Sequence, residues 1–116
     1  MGKNRFMRFL FAKLFRAYFQ AKNGNDVILI EKNEKLGKKL YITGKGRCNL
    51  TNNCSVDAFL SNVVSNPKFL MSSICAFAPS ETIAFFDSIG LKTKTERGNR
   101  VFPVSDKSSD VIKVLK

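Results

Sequence analysis

The chain of 116 residues contains no histidine, and its three cysteines, Cys48, Cys54 and Cys75, are an odd number. A closed structural zinc site needs four ligands, so a Cys/His zinc centre is excluded on composition, and no metal is expected. The missing histidine also leaves Cys48, next to Arg47, without the base partner of a nucleophilic thiol. Nothing at the N terminus reads as a secretory signal, because Lys13 and Arg16 interrupt any apolar run and no small-residue cleavage site follows. With the odd cysteine count, this points to a reducing, cytoplasmic compartment. The same stretch is too short and too charged to span a bilayer.

Acidic residues are scarce. Nine stand against twenty lysines and arginines, a net charge of +11 at pH 7, and none precedes Asp26. That surplus favours anionic partners, whether nucleotides, nucleic acid or an acidic membrane surface, and its sign alone does not choose among them. Apolar residues are plentiful by contrast: 44% of the chain is hydrophobic, with eleven Phe, enough to build a core in a chain with room for one small domain.

Residues 1–22 interleave Lys3, Arg5, Arg8, Lys13, Arg16 and Lys22 with Phe6, Phe9, Phe11, Phe15, Tyr18 and Phe19. On a helical wheel Arg5, Arg8, Lys13 and Arg16 fall opposite most of the apolar side chains, which predicts an amphipathic helix. Asn23-Gly24-Asn25 ends it, and a strand follows at 27–30. Helices are expected at 57–64, 68–77 and 81–89, the last with Ser80 as N-cap and Gly90 as stop. Residues 91–95 and 100–102 read as a short hairpin turning at Arg97-Gly98-Asn99. A final helix, capped by Ser105 or Asp106, runs through Leu115.

Two segments carry recognisable chemistry. Asp26-Val27-Ile28-Leu29-Ile30-Glu31 is an apolar run ended by a carboxylate, as the second strand of a dinucleotide-binding unit ends at a ribose, with Lys32 beside it. Soon afterwards Thr43-Gly44-Lys45-Gly46-Arg47-Cys48-Asn49 combines glycines that permit close backbone approach with fixed cations suited to a diphosphate. Thr43, Asn49, Thr51 and Asn52 add groups that can both donate and accept hydrogen bonds.

The run from Val27 through Gly44-Lys-Gly-Arg-Cys-Asn-Leu-Thr-Asn52 resembles the BaiN/RdsA-like, or aminoacetone oxidase-like, family of FAD-dependent NAD(P) oxidoreductases. Arg100-Val-Phe-Pro-Val-Ser-Asp-Lys107 is similar to a second block of the same family, in the same order. The resemblance implies an α/β fold: a partial FAD/NAD(P)-binding Rossmann-like domain followed by helices and a short hairpin. In that family the FAD lies across the end of a parallel sheet. It also implies that Glu31 is the ribose acid, with Lys32 next to it. Thr43, Gly44, Gly46, Arg47, Cys48 and Asn49 would form the flavin-contacting loop, with Cys48 packed beside the cofactor. NAD(P)H would be the electron donor and a small molecule the substrate. Lys45 departs from the family pattern, which has Gly there, so its side chain would crowd the cofactor or require a different backbone angle.

Upstream the departure is larger. The family begins with a short strand and a G-x-G-x-x-G turn, whose glycines, counted back from Glu31 without gaps, fall on Arg8, Leu10 and Lys13. The expectation is therefore a domain without its first strand and glycine-rich turn. Residues 1–13 would be a basic, aromatic leader and 14–116 a partial FAD-binding domain truncated at both ends, inactive alone, with a complementary fragment as a conceivable partner. A fragment arising from a disrupted frame or misplaced start predicts the missing strand and turn in the flanking DNA. The alternative expectation is a small basic module whose N-terminal helix binds an anionic membrane or nucleic acid without specific readout.

Overall fold

The computed structural model describes residues 10–116, except for the side chains of 10–13 and of Thr43; the basic positions expected at 1–9 lie outside it. In chain order the elements are α1 (Leu10–Lys22), α2 (Lys38–Ile42), β1 (Thr51–Asn52), α3 (Val56–Ser61), α4 (Pro67–Ala76), α5 (Pro79–Ser88), β2 (Thr93–Glu96), β3 (Arg100–Pro103) and α6 (Ser108–Leu115). Tight 3-10 turns occupy Thr43–Gly46 and Arg97–Asn99. The chain divides into two compact units, one of residues up to 48 together with 107–116, the other of 49–106.

In the first unit α1 ends as its sequence foretells. Gly24 takes φ 81°, its N–H donates to the Ala21 carbonyl at 3.0 Å, and the Asn25 N–H donates to the Gln20 carbonyl at 3.1 Å. This pair of bonds closes the last turn and needs a residue free to adopt left-handed backbone. Helix α1 runs without a break through residues 13 and 14. At the other end of the unit, α6 buries Ser108, Val111, Ile112 and Leu115, one stripe of a helix. It packs against α2 and α1, with Leu14 and Leu40 completing a small core.

The strand expected at 27–30 does not form. Among the described residues, no backbone hydrogen bond reaches this segment and none of those in the first unit forms a strand. A parallel strand is held by neighbours on its edges, and among the described residues this run has none. Ile28 is 90% and Ile30 82% exposed.

The second unit holds an antiparallel sheet of order β1-β3-β2. The hairpin forms as expected, pairing Lys94 with Phe102 and Glu96 with Arg100. The short β1, which the sequence did not signal, adds Thr51 opposite Val101. Phe85, Phe86, Leu91, Val101 and Phe102 are buried here, with the rings of Phe85 and Phe86 edge to face at 5.2 Å.

Helix boundaries shift for local reasons. Helix α3 starts one residue earlier than expected, because the Ser55 hydroxyl accepts from the Ala58 N–H. It stops short of 64, where Ser61 Oγ and Asn62 Nδ2 both donate to the Ala58 carbonyl and compete with the helical ladder. Helix α5 is capped at Ala78 and not at Ser80, since Pro79 takes the first helical position and Glu81 Oε2 accepts from the Ala78 N–H at 2.7 Å. Helix α6 starts after the residues expected to cap it, because Asp106 is left-handed, φ 58°, and closes a turn onto the Pro103 carbonyl. The stretch Pro67–Ser88, with mean hydropathy 1.4, is apolar and long enough by composition to cross a membrane. It is broken at Phe77 and Pro79 into two helices of 10 residues, each well short of the roughly twenty a span requires.

Candidate functional site

Glu31 closes the irregular segment that follows the turn after α1. Its Oε1 accepts from the Asn33 N–H at 2.8 Å and from Asn33 Nδ2 at 2.9 Å, which folds the carboxylate over the bend that follows. Its Oε2 is buried and has no donor. A buried acceptor left unpaired costs on the order of 1–3 kcal/mol, so a hydroxyl brought to Oε2 has free energy to gain. Asn33, which orients the acid, went unnoticed in the sequence; its signal is a short amide two residues after a carboxylate. Lys32 is exposed on the same bend.

Within the loop at Thr43–Gly46, the three residues from Gly44 to Gly46 are a run of left-handed backbone. Gly44 has φ 58° and ψ 37°, Lys45 φ 57° and ψ 39°, Gly46 φ 86° and Cys48 φ 61°, and the Arg47 N–H donates to the Gly44 carbonyl at 3.2 Å. Left-handed backbone costs a residue with a Cβ about 1–2 kcal/mol and glycine almost nothing. Lys45 thus keeps a conformation suited to glycine, and its side chain is exposed. Arg47 is half-buried. Cys48 is 4% exposed, and burial pushes its thiol up to about 11, so it is a neutral packing group at physiological pH.

Asn49 opens the second unit. With its amide assigned from the hydrogen-bond network, Nδ2 donates to the carbonyls of Thr51 and Val101, at 3.0 and 3.2 Å. Asn52 Nδ2 likewise donates to the Gly98 and Asn99 carbonyls, at 3.1 and 2.9 Å. These amides tie β1 to the hairpin. At the positions that correspond to the family's glycine-rich turn, Leu10 and Lys13 lie in the first turn of α1; Arg8 is outside the described residues.

Two open clefts border residues 27–30 in the first unit. The larger, about 510 Å³, is lined by Leu14, Tyr18, Lys22, Val27, Leu29 and Lys116 among others. The smaller, about 430 Å³, is lined by Arg16, Ala17, Gln20 and residues 27–30. Neither contains Glu31 or the 43–48 turn.

A helix leading into an apolar run that ends at a carboxylate is compatible with part of a dinucleotide-binding unit. Comparison with known proteins gives the family. Residues 11–116 match the HI0933-like protein Rossmann domain, and the chain belongs to this family of FAD-binding oxidoreductases. A 3-dehydro-bile acid delta(4,6)-reductase of Clostridium scindens is 40% identical over 89 residues, which cover 77% of this chain and 21% of the reductase. A ribosomal RNA dihydrouridine synthase of Escherichia coli K12 is 28% identical over 105 residues, covering 90% of this chain and 25% of the synthase. The chain thus spans a fifth to a quarter of the length of these relatives.

Proposed function

We propose that this chain carries the adenosine-ribose site and one flavin-contacting turn of an FAD-dependent reductase. The observation that carries this reading is Glu31, whose buried Oε2 lacks a donor while Asn33 holds Oε1. Glu31 would accept a ribose hydroxyl at Oε2. The left-handed glycines at 44 and 46 would let a ring or phosphate approach the backbone, Arg47 would supply positive charge, and uncharged Cys48 would pack beneath. Thr43 and Asn49 border that turn and Lys32 borders the acid. Bound there, the flavin would supply the two-electron chemistry, taking hydride from NAD(P)H and delivering it to an unsaturated substrate. The names of both relatives describe saturation of a carbon–carbon double bond, which we take as the substrate class.

The compartment in this reading is the cytoplasm, and the polypeptide alone binds FAD weakly without turnover, because Leu10 and Lys13 are helical where a glycine turn would receive the pyrophosphate. A nuclear magnetic resonance titration tests the site in this chain. AMP is expected to perturb Glu31 and Asn33, and either 2′,3′-dideoxy-AMP or the Glu31→Gln variant to bind about tenfold more weakly, as befits the loss of one hydrogen bond to a charged acceptor. Equal response to AMP and its dideoxy analogue removes Glu31 from a ribose site.

A further inference from the structure

Asn23 is the one asparagine in the sequence followed by glycine, and the turn it opens stands in water, with residues 21–28 all exposed. Gly24 has no side chain to shield its backbone nitrogen, and the place a Cβ would take has no neighbour within 4 Å. What restrains that nitrogen is the end of α1. The Gly24 N–H donates to the Ala21 carbonyl at 3.0 Å, the Asn23 N–H to the Phe19 carbonyl at 3.1 Å and the Asn25 N–H to the Gln20 carbonyl at 3.1 Å. Asn25 Nδ2 adds a bond to Gln20 Oε1 at 2.8 Å. An exposed terminal turn of this kind opens readily, because no apolar burial holds its hydrogen bonds closed.

We propose that Asn23 is a site of self-modification, a deamidation gated by the last turn of α1. When the turn opens, the Gly24 nitrogen attacks the Asn23 side-chain carbonyl carbon and a C–N bond forms. The bond from that carbon to Nδ2 breaks, and Nδ2 leaves as ammonia with the proton that the Gly24 nitrogen gives up. Water then opens the cyclic imide at either carbonyl, leaving aspartate or isoaspartate. Both products place a carboxylate at the C-terminal end of α1, where the helix dipole is negative; Asp26 adds a like charge nearby and Lys22 an opposite one. Isoaspartate also lengthens the main chain ahead of Gly24, so the Asn25 N–H no longer meets the Gln20 carbonyl as the closed turn requires. The change runs one way. It needs neither FAD nor Glu31, so it stands apart from the flavin reading.

The test is incubation of the whole chain at neutral pH, with and without urea, following the Asn23 peptide by mass spectrometry, isoaspartyl labelling and ammonia release. Asn23 is expected to convert in the folded chain while the other asparagines persist, and urea to speed it by about tenfold or more. Asn25→Pro, which removes the donor to the Gln20 carbonyl, is expected to raise the folded-chain rate about fivefold. Asn23→Gln, with a longer side chain that disfavours ring closure, is expected to abolish the reaction there. In the isoaspartyl product the Gly24 and Asn25 amides are expected to exchange with deuterium about tenfold faster. The proposal is overturned by equal rates in folded and urea-unfolded chain, or by an Asn23 that stays intact in the folded chain long after the unfolded chain has converted. A product whose last turn exchanges as slowly as before overturns it too. Should Asn25→Pro fail to fold, the urea comparison and the amide exchange decide.

Discussion

Cys48 sits where water does not reach, and its titration follows from that. With its pKa raised from 9.0 to about 11, the folded state holds the thiol proton more tightly than the unfolded state. Its contribution to stability is complete below pH 9, is lost as pH rises from 9 to about 11, and changes no further above that. The loss amounts to about 2–3 kcal/mol. Lys94, raised chiefly by its hydrogen bond to Asp106, titrates in the same direction at higher pH, so the measurement is a comparison: urea midpoints at pH 8.5 and 11 for the natural chain and for Cys48→Ala. Parallel pH dependence in the two would show that Cys48 is not the source. Gly37 tests packing in the same way. It has φ 72°, and a Cβ there would lie 2.8 Å from Ile112 Cδ1 and 2.9 Å from its Cγ1, in a side chain buried on all sides. Gly37→Ala should cost about 2–3 kcal/mol from the clash and the backbone strain together, and adding Ile112→Val should recover part of it. A neutral Gly37→Ala would mean the α2–α6 contact is looser than it looks. Residue types of this kind were legible in the sequence at Gly24, whose neighbours in sequence set its role. Asn33 and Ile112 were not, because their importance comes from what folding places beside them.

At the scale of elements, local rules performed well wherever the competing signals were also local. The end of α1, the hairpin and the approximate spans of α4 and α5 follow from glycine, proline and apolar spacing. Misses arose where two caps competed. Ser80 is a good N-cap type, but Pro79 before it claims the first helical position and Glu81 bonds back to the Ala78 N–H. The two readings separate experimentally: Glu81→Ala should lower stability by about 1 kcal/mol and Ser80→Ala by much less, read from thermal midpoints. The opposite order would restore Ser80 as the cap. Strand β1 escaped because two residues carry no periodicity; it exists through pairing with β3 and through the Asn49 and Asn52 amides.

At the scale of the whole chain, a net charge of +11 predicts binding to anionic vesicles and oligonucleotides that is insensitive to sequence and falls by about two orders of magnitude or more between about 50 and 200 mM salt. Filter binding and vesicle sedimentation check this, and binding that persists in salt would point to a built site in place of diffuse charge. The sequence by itself determined the family, because the order of the Glu31, Gly44–Asn49 and Arg100–Lys107 blocks is a linear property. It also determined the helix stops, since glycine and proline act through their own backbone. Only the tertiary structure decided that the apolar run at 27–30 takes no backbone hydrogen bond among the described residues, that Glu31 keeps one oxygen buried without a donor, and that Lys45 retains a glycine-like turn. Each of these depends on which groups lie nearby in space, and the chain order of the residues does not encode that.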